Sequence, residues 1–180
     1  TNDQGEYVLP HTDRNADMIA QTRCFFDANP EAATRYLDWF CRLPIRLELG
    51  GARFVHAYWG PRELALLGHR NTLNECGWGD PLFRRQPLGA AVELLIKGPE
   101  IRLPARYHTI NRQGSQRKMA RIAWWMHGRY QAIRDLILPY TPTLPLDPLP
   151  ASELAVYEPY GATEPPAFIG HYGFGAPPGL

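Results

Sequence analysis

Two of the six histidines in this chain close short apolar runs: His56 ends "ARFVH" and His171 ends "AFIGH", with Ala57 and Gly170 as small neighbours that let the backbone approach closely. Neutral imidazole is a good ligand for zinc, iron or manganese, and a strand end holds a ligand rigidly. His56 and His171, 115 positions apart, are therefore a candidate metal pair. The same pattern also describes two histidines that each hydrogen-bond a neighbouring carbonyl at a strand end, and on spacing alone both readings stand. A second feature is charge. Residues 101–134 contain Arg102, Arg106, Arg112, Arg117, Lys118, Arg121, Arg129 and Arg134 and no Asp or Glu. A patch of one sign raises the local concentration of anions and would draw a phosphorylated or polyanionic substrate toward the histidines. Equally, it is a solvated face whose charges pair with carboxylates elsewhere.

Other polar and aromatic residues carry less. His11, His69, His108 and His127 have no strand-end setting and read as surface or loop residues. Trp39 and the Trp124-Trp125 pair read as core or cap packing rather than a base-stacking platform. Arg62 and Glu63 follow the His56 turn, within reach of a substrate there or simply solvating a helix start. Asp135 and Asp147 offer no second carboxylate at a telling spacing.

The elements that must position the histidines follow from periodicity. Ile19, Thr22, Phe25 and Phe26 recur at helical spacing over 13–26. Asn29 is placed to cap a second helix through its side chain, with Pro30 at the first helical position and Glu31 at the positive dipole end. That helix carries Tyr36, Leu37, Phe40 and Cys41 as an apolar face and ends near Leu43-Pro44. The period then becomes two: Ile45, Leu47 and Leu49 alternate with Arg46 and Glu48, and Gly50-Gly51 suits a tight hairpin. The return strand delivers His56. Short helices are expected over 61–67, closed by Gly68, and over 88–97, ended by Gly98-Pro99, with a long loop between them. Residues 101–121 suit a second hairpin turning at "NRQG". A helical stripe from Met119 through Ile122, Met126, Tyr130 and Ile133 to Ile137 predicts a strand or loop giving way to helix near Ala123, with Gly128 a weak point. The eight prolines between Pro139 and Pro166 predict an extended segment lying across a surface, ending in a short buried strand at "AFI" before His171.

Composition bounds the rest. A chain of 180 residues suits a single domain, residues 1–180, with a sizeable core. Lys and Arg total 19 against 18 for Asp and Glu, a balance that points away from nucleic acid as a partner and from an acidic disordered tail. Cys24, Cys41 and Cys76 form no C-x-x-C pair, which fits a reducing, cytoplasmic setting without a redox motif or cysteine zinc site. No apolar run is long enough to cross a bilayer and no leader pattern is present, so no membrane association is expected.

"LPIRLELGGARFVHAYW", followed much later by "PPAFIGHYGF", resembles the later half of a calcineurin-like metallophosphoesterase of the bacterial phosphoprotein phosphatase and diadenosine tetraphosphatase type. The family's third and fourth metal motifs are a strand ending in V-H-A or V-H-G and a strand ending in G-H, matched here by Val55-His56-Ala57 and Gly170-His171. "LLIKGPEIRLP", "NRQG" and "ARIAWW" resemble an insertion that some bacterial members carry between those motifs, making 101–166 an insertion with a proline-rich connection. "GEYVLPHTDRN" resembles the stretch just after the family's G-N-H-E loop. The motifs D-x-H, G-D-x-x-D-R-G and G-N-H-E themselves do not occur; "GDPLFRR" at Gly79 lacks the second aspartate, and "GHRN" at Gly68 and "MHGR" at Met126 are chance echoes.

The resemblance implies an α/β fold: a partial four-layer αββα sandwich with a hairpin and helix insertion between the last two metal motifs. It further implies a metal-dependent phosphoester hydrolase acting on a phosphomonoester, phosphoprotein or dinucleoside polyphosphate through a water activated by two divalent ions, manganese, iron or zinc. His56 and His171 would ligate the same ion. The missing N-terminal half of the domain would supply the bridging aspartate, an asparagine ligand, the second ion's ligands and a general-acid histidine. The alternative is a catalytically incomplete half-domain that acts as an anion-binding or protein-interaction module.

Overall fold

The computed structural model describes residues 13–171 apart from 81, 105, 111–115, 127–131, 139, 142–143, 149–156 and 159. Two helices open it, α1 (Asp13–Ala28) and α2 (Pro30–Arg42). Pro30 starts α2 as its sequence predicts, but the Asn29 side chain does not cap it. Its Nδ2 instead donates to the Phe25 carbonyl at 2.9 Å, tying off the end of α1. No described residue of α2 is buried, so the apolar face of Tyr36, Leu37 and Phe40 stands in solvent, and Trp39, expected in packing, is 53 % exposed.

A hairpin follows, β1 (Arg46–Leu49) and β2 (Ala52–Val55), paired antiparallel with Leu49 opposite Ala52. Gly50 and Gly51 both take positive φ, 60° and 77°, the left-handed backbone that a two-residue turn of this hand requires. The third strand of this sheet arrives from the far end of the chain: β8 (Ala167–Ile169) runs parallel to β2, Phe54 opposite Phe168 and Val55 opposite Ile169. Sequence pattern predicts a buried strand there. Its register does exist, but β8 borders the sheet with β2 as its one described partner, and Phe168 is left 57 % exposed, its ring stacked on Phe54.

Helices α3 (Pro61–Leu67) and α4 (Pro87–Lys97) match their predicted spans to within a residue and pack on each other. The loop between them is less open than expected, because a single 3₁₀ turn at Phe83–Arg85 buries Phe83, and Asp80 accepts from the Leu82 main-chain N–H and the Gln86 amide. Asp80 thus has a structural task, holding the turn that leads into α4. The second sheet combines β3 (Glu100–Arg102), β6 (Met119–Ile122) and β7 (Ile137–Leu138), while β4 (Thr109–Ile110) pairs with β5 (Gln116–Arg117) around the predicted hairpin, whose "NRQG" turn lies outside the described residues.

The helix expected from Ala123 onward is not continuous. One 3₁₀ turn at Trp124–Met126 and a four-residue helix α5 (Ile133–Leu136) replace it among the described residues, and Ile137 enters a strand opposite Ile122. The apolar stripe is real, but it is buried from several directions: Ile122, Trp124, Ile133, Leu136 and Ile137 are all essentially inaccessible. When a sheet neighbour takes the backbone hydrogen bonds, helical spacing of apolar residues no longer selects a helix. The proline-rich connection is likewise more than a surface strap, since Leu144 and Tyr157 enter the core. The main core joins Leu64, Leu67, Val92 and Leu95 of α3 and α4 to Tyr58, Ile101 and Trp124, so it lies under the peptide that follows His56. The described chain is mixed α/β, and no described helix is long and apolar enough to cross a membrane.

Candidate metal centre

His56 lies one residue past β2 and His171 two residues past β8, so the parallel pairing of those strands carries both to the same end of the sheet. The ladder continues beyond the strands: the Gly170 N–H donates to the Val55 carbonyl at 3.2 Å and the His171 N–H to the His56 carbonyl at 2.6 Å. Side chains on neighbouring parallel strands at matched register project together. The outcome here is a direct contact, His171 Nδ1 to His56 Nε2 at 2.8 Å, with the rings edge to face and centroids 4.7 Å apart. The two histidine side chains thus meet each other at one end of the sheet.

A 2.8 Å contact between two ring nitrogens requires one N–H and one lone pair. Partial burial holds His171 below the ordinary imidazole pKa, and the nearby Arg121 and His56 push it the same way, so its neutral form is favoured near pH 7. Two imidazoles on one tetrahedral ion, each at about 2.1 Å, place their nitrogens about 3.4 Å apart. The observed pair already faces inward and needs to open by roughly half an ångström, with loss of the shared proton, to hold an ion between them. The donor set therefore fits a metal as a pair and is short as a site: among the described residues no group of three or more His, Cys, Asp or Glu converges to hold one.

The peptide after His56 is held from below. Ala57 and Tyr58 are fully buried; the Tyr58 N–H donates to the Leu95 carbonyl at 3.1 Å, and the Ala57 carbonyl accepts from the Trp124 indole N–H at 2.9 Å. Burial pushes the Tyr58 phenol well above its ordinary pKa, so it stays a neutral donor and acceptor, taking the Glu158 N–H at 2.8 Å. On the side of β8, Arg53 from β2 donates to Tyr160 Oη at 3.2 Å, forms ion pairs with Glu48 and Glu164, and lies over the Trp59 ring. Sequence reading places Trp124 in core or cap packing, as its full burial shows, but ties none of these supports to the histidines. A Trp-Trp dipeptide or an alternating strand arginine is common packing, and their partners lie up to 111 positions away.

The remaining candidates fall elsewhere. His69 is exposed and His108 half-buried, whereas His11 and His127 lie outside the described residues. Arg62 pairs with Glu158 rather than reaching toward the histidines. Of the basic run, Arg106 pairs with Asp147, Arg121 with Glu100 and Arg134 with Asp135, so at least three of its described members face a carboxylate. Arg112 and Arg129 lie outside the described residues. Cys24, Cys41 and Cys76 are unlinked thiols. No protein-family model, no curated protein and no solved structure matches this chain.

Proposed function

We propose that this chain is the later half of a calcineurin-like metallophosphoesterase domain and serves a metal-dependent phosphoester hydrolase. The observation that supports this reading is the convergence of two short motifs, V-H-A and G-H, on parallel neighbouring strands with their ring nitrogens 2.8 Å apart. In this reading the finer architecture is a four-layer αββα sandwich completed by the missing N-terminal half, and the β2–β8 sheet belongs to its inner layers.

His56 offers Nε2 and His171 offers Nδ1 to one divalent ion, manganese, iron or zinc. The bound ions would supply an activated water and neutralise phosphoryl charge. The chain's own residues present two ring nitrogens from rigid strand ends and fix their separation through the main-chain ladder. The carboxylate and asparagine ligands must come from D-x-H, G-D-x-x-D-R-G and G-N-H-E motifs outside this sequence.

Hydrolysis of p-nitrophenyl phosphate or a dinucleoside polyphosphate with added manganese, by the chain joined to a segment bearing those motifs, tests the reading. His56→Ala is expected to abolish turnover, and equal rates would remove His56 from the chemistry. The lack of a third converging ligand among the described residues favours one competing reading, an anion-binding or interaction module. Absence of those motifs from the full open reading frame would select it.

A further inference from the structure

We infer that Trp124 is the positioning residue of the histidine pair: its indole N–H, bonded to the carbonyl directly after His56, fixes where that imidazole stands. The inference rests on the proposed metal role of His56 and His171 and adds to it a residue that touches neither ring. Four consecutive residues around His56 have a main-chain polar group anchored. The Val55 carbonyl is taken by Gly170 N–H, the His56 carbonyl by His171 N–H, the Ala57 carbonyl by Trp124 Nε1–H and the Tyr58 N–H by the Leu95 carbonyl. Three of these anchors are main-chain groups and follow from strand pairing and helix placement. The fourth is a side chain, and it sits at the residue where the chain leaves the ladder.

Trp124 is itself immobilised. It is fully buried, with edge-to-face contacts to Tyr58 and Tyr160 at 5.3 Å and to Trp125 at 5.5 Å. Its carbonyl accepts from Tyr160 N–H at 3.3 Å, and Tyr160 in turn binds Arg53 and the Pro165 carbonyl just ahead of β8. One residue between the two histidine motifs in sequence therefore holds the peptide leaving His56 directly, and the peptide approaching His171 through Tyr160. A buried carbonyl deprived of its donor shifts to find another. Any shift at Ala57 is passed to His56 through a single peptide.

The test uses the 180-residue chain with ¹⁵N-labelled histidine and manganese(II) chloride as the probe, read as paramagnetic broadening of the histidine ring protons. In the wild type, His56 and His171 are expected to broaden at lower manganese than His69 and His108; uniform broadening of all four would overturn the metal reading itself. Replacing Trp124 by 3-benzothienylalanine keeps the ring and deletes the N–H. It is expected to raise the manganese needed for half-broadening of His56 by about tenfold, as loss of groups that orient metal ligands does. With the wild-type pair broadened selectively, an unchanged midpoint in this variant would overturn the positioning role while leaving the metal pair intact. A further arm needs no variant. The Trp124 indole N–H should exchange with solvent about a hundredfold more slowly than that of exposed Trp39, and equal rates would overturn the inference.

Discussion

His56 is solvent-exposed and His171 half-buried, and their rings touch. Truncating an exposed side chain away from the core shifts stability by about 0.5 kcal/mol or less, so His56→Ala is expected to leave the unfolding midpoint nearly unchanged. In the chain joined to a segment bearing the D-x-H, G-D-x-x-D-R-G and G-N-H-E motifs, His171→Ala should by contrast remove most bound manganese, measured by elemental analysis after dialysis; unchanged stoichiometry would take His171 out of the site. Glu93 supplies a pH-dependent residue away from the histidines. The Lys97 ammonium bonded to it, with Arg84 on its other oxygen, holds its carboxyl below the ordinary 4.5 despite partial burial. Because the folded value is depressed, the stabilisation is complete above the unfolded value and lost as pH falls through the folded one. The Glu93 side chain is 36 % exposed, so solvent screening reduces its contribution. Between about pH 6 and pH 3 the wild type should lose roughly 0.5 kcal/mol more than Glu93→Gln, read from urea unfolding at each pH. Parallel pH profiles for the two would assign no linkage to this pair.

Among the elements, the approach to α4 is the tightest. A Cβ at Gly89 would lie 1.9 Å from the Phe83 carbonyl oxygen, a collision with main chain that no rotamer relieves. Gly89→Ala gains about 1 kcal/mol of helix propensity. The overpacking it creates costs more, for an expected net loss of about 2 kcal/mol in urea unfolding. A stabilised variant would mean that the Phe83 turn can retreat. Since α4 also supplies the Leu95 carbonyl that holds Tyr58, the same substitution should weaken the support under the His56 peptide. Helix α2 shows the opposite condition. Its residues alternate correctly for an amphipathic helix, yet none of those described is buried, because the core forms around α3, α4 and the second sheet instead.

At the scale of the molecule, Leu37, Phe40, Leu47, Leu49 and Phe168 all remain more than two-fifths exposed. Apolar surface of this extent binds hydrophobic dyes, so the chain is expected to enhance anilinonaphthalene sulfonate fluorescence under native conditions, and Leu37→Ser with Phe40→Ser should lower the signal markedly. An unchanged signal would place the dye elsewhere. The hairpin, helices α3 and α4 and their closing glycines were legible in the sequence because turn chemistry and helix ends are local. Gly50-Gly51 takes its positive φ whatever lies above it, and Pro61 and Pro87 start helices through their own fixed φ. The segment after Ala123 was misread as one helix, since its apolar spacing is satisfied equally by burial between β6, β7 and the proline-rich connection.

The histidine pair divides the same way. Sequence determined that His56 and His171 each end a short strand, a matter of alternation and small neighbours within a few residues. Only the tertiary structure decided that those strands are parallel neighbours in register, and hence that two side chains 115 positions apart meet at 2.8 Å. Register is a long-range choice, fixed by which distant backbone groups satisfy one another. The bond from Trp124 to Ala57 belongs to that class too: it spans 67 positions, and no local pattern in either segment announces it.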